Sequence, residues 1–558
     1  MDRNTLLAFL LISLVLILTP YYMELINPKK PTKAYDTPKT TETQPDPEET
    51  IISEPKKNTE TKNNRSFLPS IEETATAIET DLFEALVSNR HGGSIASFKL
   101  FEHQTYDSAF VNLINSLNKD NLAIRFKTIS GIDFNLDVPW SLVSPAPFGR
   151  ITEPTTLTFA AQTTIGPIEK SITFFPSSYV IQVDINTAGI SESVFAGKYF
   201  LTWAGGLPST EKNKTDDLIY TNAFLYQGGE LEKIKADEGD LLEKEYNGHT
   251  DWVSIRTKYF TASLVPEKNT RSVSAKLGSK KTPSGELYDV SLALEPSVKS
   301  SVFLYLGPLE HERIKALSPT LEEIMSLGWG PIRPISKGVL WTLKKMNTFI
   351  PNYGFILIIF SIVVKILVYP LTKKSYESTQ AMQKLAPEIT KLKEKHKNNP
   401  QKLNQATMQL YKDKGVNPLG GCLPMLLQMP LLFALFVVFR STIELRAEPF
   451  IFWIKDLSAP DVVLTLPFSL PIYGDGVAVL PILMGLSMFV QQKMMSGGVE
   501  QQPQQKMMQY FMSVFFFLLF NQFPSGLNLY YTLFNVLTIV QQKLSPNTQN
   551  KPSVFPAK

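Results

Sequence analysis

The sequence predicts a multi-span α-helical membrane protein, with six transmembrane helices and a large all-β sandwich domain outside the membrane. Three observations predict it. The run 353–371 is long and apolar enough to cross a bilayer, yet it carries Lys365 inside it. Five further apolar stretches stand at 6–18, 423–439, 477–490, 507–523 and 527–540. Between the first two spans, from about residue 83 to residue 308, short runs alternate apolar and polar positions. Gly, Pro, Asn and Ser punctuate those runs, and period two with turn signals argues for antiparallel strands.

The totals narrow the function classes. The chain has 558 residues, more than one domain holds, and a net charge of +3 gives no global field for nucleic acid. No specific DNA partner is expected. The single cysteine, Cys422, excludes an intramolecular disulfide framework and a cysteine-rich metal site. No G-x-x-x-x-G-K-S/T loop occurs, so no nucleotide motor is visible. His91, His103, His249, His311 and His396 are scattered, without metal-ligand spacing or a neighbouring nucleophile motif. No cofactor, metal or catalytic residue is predicted. A sandwich can bind sugars, which leaves a periplasmic carbohydrate enzyme as a minor alternative.

In chain order, 1–26 reads as an N-terminal transmembrane anchor. Its apolar run suits a signal peptide in length, but a small-x-small cleavage pattern is missing. Residues 27–75 are rich in Pro, Lys, Thr, Glu and Asn and read as a flexible tether, too polar to offset ordering entropy. Residues 76–330 are the β-sandwich. Ile335, Val339, Leu343, Met346 and Ile350 recur at helical spacing with Lys337, Lys344 and Lys345 off that face. This makes 331–352 an amphipathic interfacial helix, with a plain linker helix as the other reading. The second span is 353–372. Residues 373–417 read as a helical hairpin, with Pro387 starting a fresh turn or kinking its first helix. Spans at 418–440, 477–492, 507–523 and 525–542 follow, with loops at 441–476 and 493–506 and a tail at 543–558.

Charge sets the orientation. Between Lys373 and Lys414 ten lysines face four acids, whereas the loop 441–476 holds two basic residues and five acids. Basic loops stay inside. The hairpin is therefore cytoplasmic, the acidic loop and β domain are outside, and both termini are cytoplasmic. Lys365 then lies in the inner half of its helix, about 9 Å from the Leu371 end at 1.5 Å per residue.

An ammonium at the centre of a membrane helix costs roughly 2.5–3.5 kcal/mol. Lys365 either snorkels to the near interface or faces water or a polar partner inside a bundle. Other polar span residues favour the second: Ser361, Gln428, Gln491, Gln509, Asn521, Asn528, Tyr530, Tyr531, Thr532, Asn535 and Thr538. They serve either as interhelical hydrogen bonds or as the lining of a wet cavity around Lys365. Fourteen helical residues reach about 21 Å against a hydrocarbon core of about 30 Å, so a short span would thin the bilayer locally. A thinned bilayer and a half-buried cation suit a device that helps other chains into the membrane. They equally suit a secondary transporter or channel gated by Lys365, although inverted repeats and Gly-broken helix pairs are absent. Met494, Met495, Met507, Met508 and Met512 read either as packing or as an adaptable surface for varied client helices.

Ordered motifs narrow the choice. They are Val368-Tyr369-Pro370-Leu371-Thr372-Lys373, Tyr411-Lys412 leading to Val416-Asn417-Pro418-Leu419-Gly420-Gly421-Cys422-Leu423-Pro424, and Gln428-Met429-Pro430. Glu444-Leu445-Arg446, Trp453-Ile454-Lys455-Asp456-Leu457-Ser458, Leu480-Pro481-Ile482-Leu483-Met484-Gly485 and Phe523-Pro524-Ser525-Gly526-Leu527 with Leu529-Tyr530-Tyr531 continue the series. This series closely resembles the YidC branch of the YidC/Oxa/Alb family of membrane protein insertases, in its Gram-negative form with a large periplasmic domain. The resemblance implies a five-helix core around a hydrophilic groove open to the cytoplasm and lipid. It implies an insertase and chaperone for nascent membrane proteins, acting alone or with the Sec translocon and its accessory subunits. The cytoplasmic hairpin and tail would receive ribosomes. One basic residue in the groove attracts polar parts of a client; in most members it is an arginine, and the aligned position here is Lys365. The charge is kept, but the bidentate fork is lost. Ser361, Tyr530 and Tyr531 align with groove or client-contact positions, and Gln428 and Asn535 complete the expected groove.

Overall fold

The computed structural model describes residues 71–544 apart from 135, 237–240, 283–284, 397–398, 417–422, 471–472 and 497–502. The predicted anchor, the tether up to residue 70, part of the loop 493–506, most of the tail and the 417–422 motif lie outside the described residues. The chain forms two compact units. The larger comprises Arg65–Glu500 with Phe511–Lys558.

Alternation builds the β domain. In Val180–Asn186 the buried residues Ile181, Val183 and Ile185 alternate with half-buried ones. Val183 pairs with Ile172 on one side and Val302 on the other, which makes a fully buried cross-strand row. These strands belong to a nine-stranded antiparallel sheet. Its order is Glu230–Ile234, Asn222–Gln227, Thr250–Arg256, Phe260–Pro266, Ser300–Pro308, Val180–Asn186, Gly166–Phe174, Thr155–Thr163 and Ser141–Leu142. A six-stranded sheet packs on the Asn222–Gln227 and Thr250–Arg256 end through Ser272–Thr282 and Gly285–Leu294. A four-stranded sheet from Ala75–Glu79 to Phe110–Asn112 completes the domain. One apolar core runs through all three, with Trp140, Trp203 and Trp252 fully buried in it. It also encloses a cation. The Lys170 ammonium donates to the carbonyls of His91 at 2.7 Å and Leu122 at 2.8 Å.

Two short helices, α1 (Lys214–Tyr220) and α2 (His311–Leu317), decorate the domain. Then the period changes to helical. Helix α3 (Arg333–Asn347) buries Val339, Leu340 and Leu343 and leaves Trp341 exposed. Helix α4 (Tyr353–Lys384) is continuous through Pro370, so the second apolar segment runs unbroken into the region read as the hairpin. The hairpin's remainder is α5 (Ala386–Lys395), with Pro387 in its first turn, and α6 (Pro400–Asp413). Asn399 caps α6 by accepting from the Lys402 amide at 3.0 Å.

Four apolar helices follow: α7 (Leu423–Ser441), α8 (Leu480–Ser496), α9 (Pro503–Phe520) and α10 (Ser525–Leu544). Their bounds differ by a few residues from the predicted spans. At α8 the expected start at 477 moves to Leu480, because residues 477–478 end the strand Gly474–Ala478. It pairs with Val462–Leu470, so the loop 441–476 contains a β-hairpin that the sequence had not announced. Pro467 within the alternating run hides it. Among the described residues, one helix is long and apolar enough to cross a membrane, the Tyr353–Pro370 part of α4. Helix α10 packs on α8 and α4, and α3 packs on α7 and α4, around a second apolar core.

Candidate functional site

The position of α4 follows from its first turn. The Asn352 carboxamide oxygen accepts from the amides of Gly354 at 3.0 Å and Phe355 at 3.3 Å, and its nitrogen donates to the Pro449 carbonyl. Three turns on, Lys365 is 8% exposed. Its ammonium donates to Thr538 Oγ1 at 2.7 Å and sits 4.6 Å from the centre of the Phe534 ring. Thr538 spends its own proton on the Phe534 carbonyl, 2.7 Å away, which leaves oxygen lone pairs for the ammonium. A charge-assisted hydrogen bond and a π face from α10 thus both contact the cation.

The rest of α10 extends this polar face. Asn528, Tyr531, Asn535 and Thr538 recur at three- and four-residue spacing and are all buried. Asn535 Nδ2 donates to Ser487 Oγ of α8 at 3.1 Å. Tyr530 packs 6.1 Å from the Phe360 ring and 5.9 Å from Phe534. The hydroxyls of Tyr530 and Tyr531 are buried without a hydrogen-bond partner among the described residues, and so is Asn528 Oδ1. Ser361, fully buried one turn before Lys365, donates back to the Leu357 carbonyl at 2.7 Å. Gln428 is half-buried on α7. The structure thus gathers Lys365 and Tyr530 on the α4–α10 seam, links Asn535 to α8, and turns Ser361 to its own helix. Thr538 stands among the polar span residues that the sequence offers, but its pairing with Lys365 is not legible there, and neither Phe534 nor Ser487 carries a signal of its own. The i,i+3 step from Asn535 to Thr538 was the available signal.

The opposite face of α4 is apolar and open. Ile362, Val363, Ile366 and Leu367 are exposed, and Ile482, Leu483 and Leu486 of α8 are too. One lysine-bearing helix therefore has a polar inner seam and a lipid-like outer wall.

A second charged cluster joins the β domain to the helix ends. Asp216 accepts from Lys258 at 2.7 Å and from Arg440, at the end of α7, through both Nε and Nη2. Burial pushes the Asp216 carboxyl up, but these two cations outweigh it and hold the group below the usual carboxylate range. Arg446 donates to Glu211 at 2.8 Å and to the Gln104 carbonyl at 2.8 Å. Lys344 pairs with Glu444 at 3.0 Å, and Ser441 donates to the Ser326 carbonyl.

Among the described residues, two groups bring histidine and carboxylate atoms within 4.8 Å: His91 with Asp120 and Asp137, and Glu102 with His103 and Glu310. In the first, Arg90 Nε lies 2.5 Å from Asp137 and 3.6 Å from Asp120 and supplies the cation itself. In the second, Arg313 donates to Glu310 at 2.9 Å. Both are ion-paired clusters.

Comparison with known proteins adds to this geometry. Residues 345–551 match the family described as 60Kd inner membrane protein, and residues 75–342 match the YidC periplasmic domain. A membrane protein insertase YidC of Chlorobium luteolum is 37% identical, covering 97% of this chain and 94% of its own. The chain belongs to the YidC family of membrane protein insertases. A YidC from Prosthecochloris aestuarii is 35% identical over 100% of this chain and 97% of its own. A solved active YidC insertase with its first transmembrane domain resolved covers 87% of this chain at 18% identity, with a TM-score of 0.37. In this YidC-family chain the mostly β region is the periplasmic domain, and the helical region is its inner-membrane part. The motif resemblance in the helical region thus extends to the whole chain.

Proposed function

We propose that this chain inserts and folds nascent membrane proteins by drawing their polar segments to Lys365, while their apolar segments leave along the outer faces of α4 and α8. The observation that carries this reading is the Lys365 ammonium, turned inward onto Thr538 on a helix whose other face is exposed and apolar. A cation in a low-dielectric bundle attracts a carboxylate or carbonyl dipole far more strongly than one in water. Thr538 is a neutral partner, so an arriving anionic group can displace it. Tyr530, Tyr531 and Asn528 would offer the client their unspent polar atoms. Gln428, Ser361 and Asn535 would line the same groove. The chemistry consumes no nucleotide.

In this reading α4, α7, α8, α9 and α10 form the insertase core, and the segment 1–26 is a sixth span. Both termini and the lysine-rich hairpin are cytoplasmic. That hairpin and the tail receive ribosomes, and the periplasmic domain meets the Sec machinery. The charge difference between the hairpin and the loop 441–476 supports the orientation. The test is reconstitution. Purified protein in liposomes, without nucleotide, should render a small client protease-protected, and empty liposomes should not. Unchanged protection without the protein, or solute flux in place of insertion, would overturn the proposal.

A further inference from the structure

The hairpin Val462–Leu470 with Gly474–Ala478 is built firmly at its base and left bare along its length. At its start, Asp461 Oδ2 accepts from the Trp453 indole at 2.9 Å and from the amides of Val479 and Leu480, at the first turn of α8. At its end, the Asn521 carboxamide, just past α9, accepts from the Ala478 amide and donates to the carbonyls of Tyr473 and Gly476. Both anchors fix the hairpin to the tips of apolar helices. Its first strand is another matter. Val462, Leu464, Phe468 and Leu470 are all exposed, Leu464 at 59% and Phe468 at 57%. A lone two-stranded ribbon is marginal in water, and an apolar one is a liability there.

We propose that this hairpin is seated in the periplasmic leaflet of the membrane, its first strand lying among headgroups and upper acyl chains; the proposal rests on the membrane reading of the helical core. Three observations favour lipid over a protein partner. From 462 to 478 the chain has no Lys, Arg or His and one acid, Asp475, so it offers little charge to a partner. The exposed apolar surface continues directly into α8, where Ile482, Leu483 and Leu486 are bare. Beside the hairpin's base, the exposed Phe452 stacks 5.9 Å from Trp453, which is itself 38% exposed, and tryptophan is enriched at the membrane–water interface. A hairpin so placed caps the periplasmic end of α8 and keeps that end of the core at a fixed depth.

Spin labels in the full chain, reconstituted in phosphatidylethanolamine–phosphatidylglycerol vesicles, test this. In a Cys422→Ser background, separate labels go on Leu464→Cys, Phe468→Cys, Leu486→Cys on α8 and Val298→Cys on the β domain. Collision with oxygen and with a nickel chelate reports depth. At 464 and 468 the oxygen-to-nickel ratio should be several-fold above that at 298 and approach that at 486. Ratios at 464 and 468 equal to that at 298, with 486 apolar, would overturn the hairpin assignment alone. Labels at 464 and 468 that reach neither collider would also overturn it, since protein then covers the strand. A water-like ratio at 486 would instead remove the membrane reading beneath it. Agreement of the 464 and 468 labels guards against a local fold defect in either variant.

Discussion

Lys365 could be picked out because a charge in a run of apolar residues has no bland neighbours to hide among. Its partner could not. Threonine is common in membrane helices, and nothing short of the α4–α10 contact joins two residues 173 positions apart. The Thr538 hydroxyl is specific enough to predict from. Thr538→Val keeps the shape and removes an acceptor from a buried ammonium, which costs about 1–3 kcal/mol. Thermal unfolding in detergent should register it as a lowered midpoint, and an unchanged midpoint would show that this hydrogen bond contributes nothing. His91 gives a residue-scale prediction in the periplasmic domain. Burial, with Lys170 and Arg90 nearby, pushes its imidazole down from 6.5 to about 4 despite the opposing carboxylate of Asp137. His103 is likewise pushed to about 4 by burial, Arg446 and Arg313. Below pH 6.5 the unfolded chain takes up protons that the folded chain refuses, so stability falls as pH drops toward 4. His91 has a φ of 55°, a backbone that asparagine tolerates. The melting temperature of His91→Asn should therefore fall less steeply between pH 6.5 and 5 than that of the parent.

Periodicity predicted the type of most elements; it located their ends less well. The strands around Val183 follow from strict alternation, and α3 from its 3-4 spacing. The polar residues after Pro370 suggest a new element, whereas α4 runs on to Lys384 although Pro370 has no amide proton to donate to the Ile366 carbonyl. The hairpin after α7 is concealed by Pro467, which interrupts the alternating run of its first strand. Helix contacts supply a test at this scale. Gly526, in the first turn of α10, has no room for a Cβ. That atom would lie 2.7 Å from the Phe439 ring of α7 and 3.0 Å from the Leu457 carbonyl. Gly526→Ala should destabilise the helical core by about 1–3 kcal/mol through overpacking. Detergent unfolding of this variant should show the loss, and a wild-type midpoint would show that α10 and α7 can separate freely. The Asp216 junction supplies another. Its depressed carboxyl stabilises the folded state fully above the ordinary carboxylate range, and that contribution disappears as pH falls below it. Asp216→Asn should increase hydrogen exchange in α1 and around Lys258 at pH 7, while leaving the strands around Val183 protected.

At the scale of the whole molecule, two apolar cores with different periods lie in one chain. One is made by strands that alternate, the other by helices that bury a polar seam. The sequence carried that division openly, because hydropathy and period change together near residue 330. It also carried the family, through motifs concentrated in loops and helix ends. The arrangement of the seam was not open to it, since which faces of α4, α8 and α10 meet is decided by packing over long separations. The account stands on the sign of one charge within that seam. Client insertion by Lys365→Arg and Lys365→Glu, measured by pulse-labelling and protease protection in cells depleted of the parent protein, tests it most directly. Arginine should keep insertion close to the parent level and glutamate should abolish it, whereas equal insertion by both variants would contradict the account.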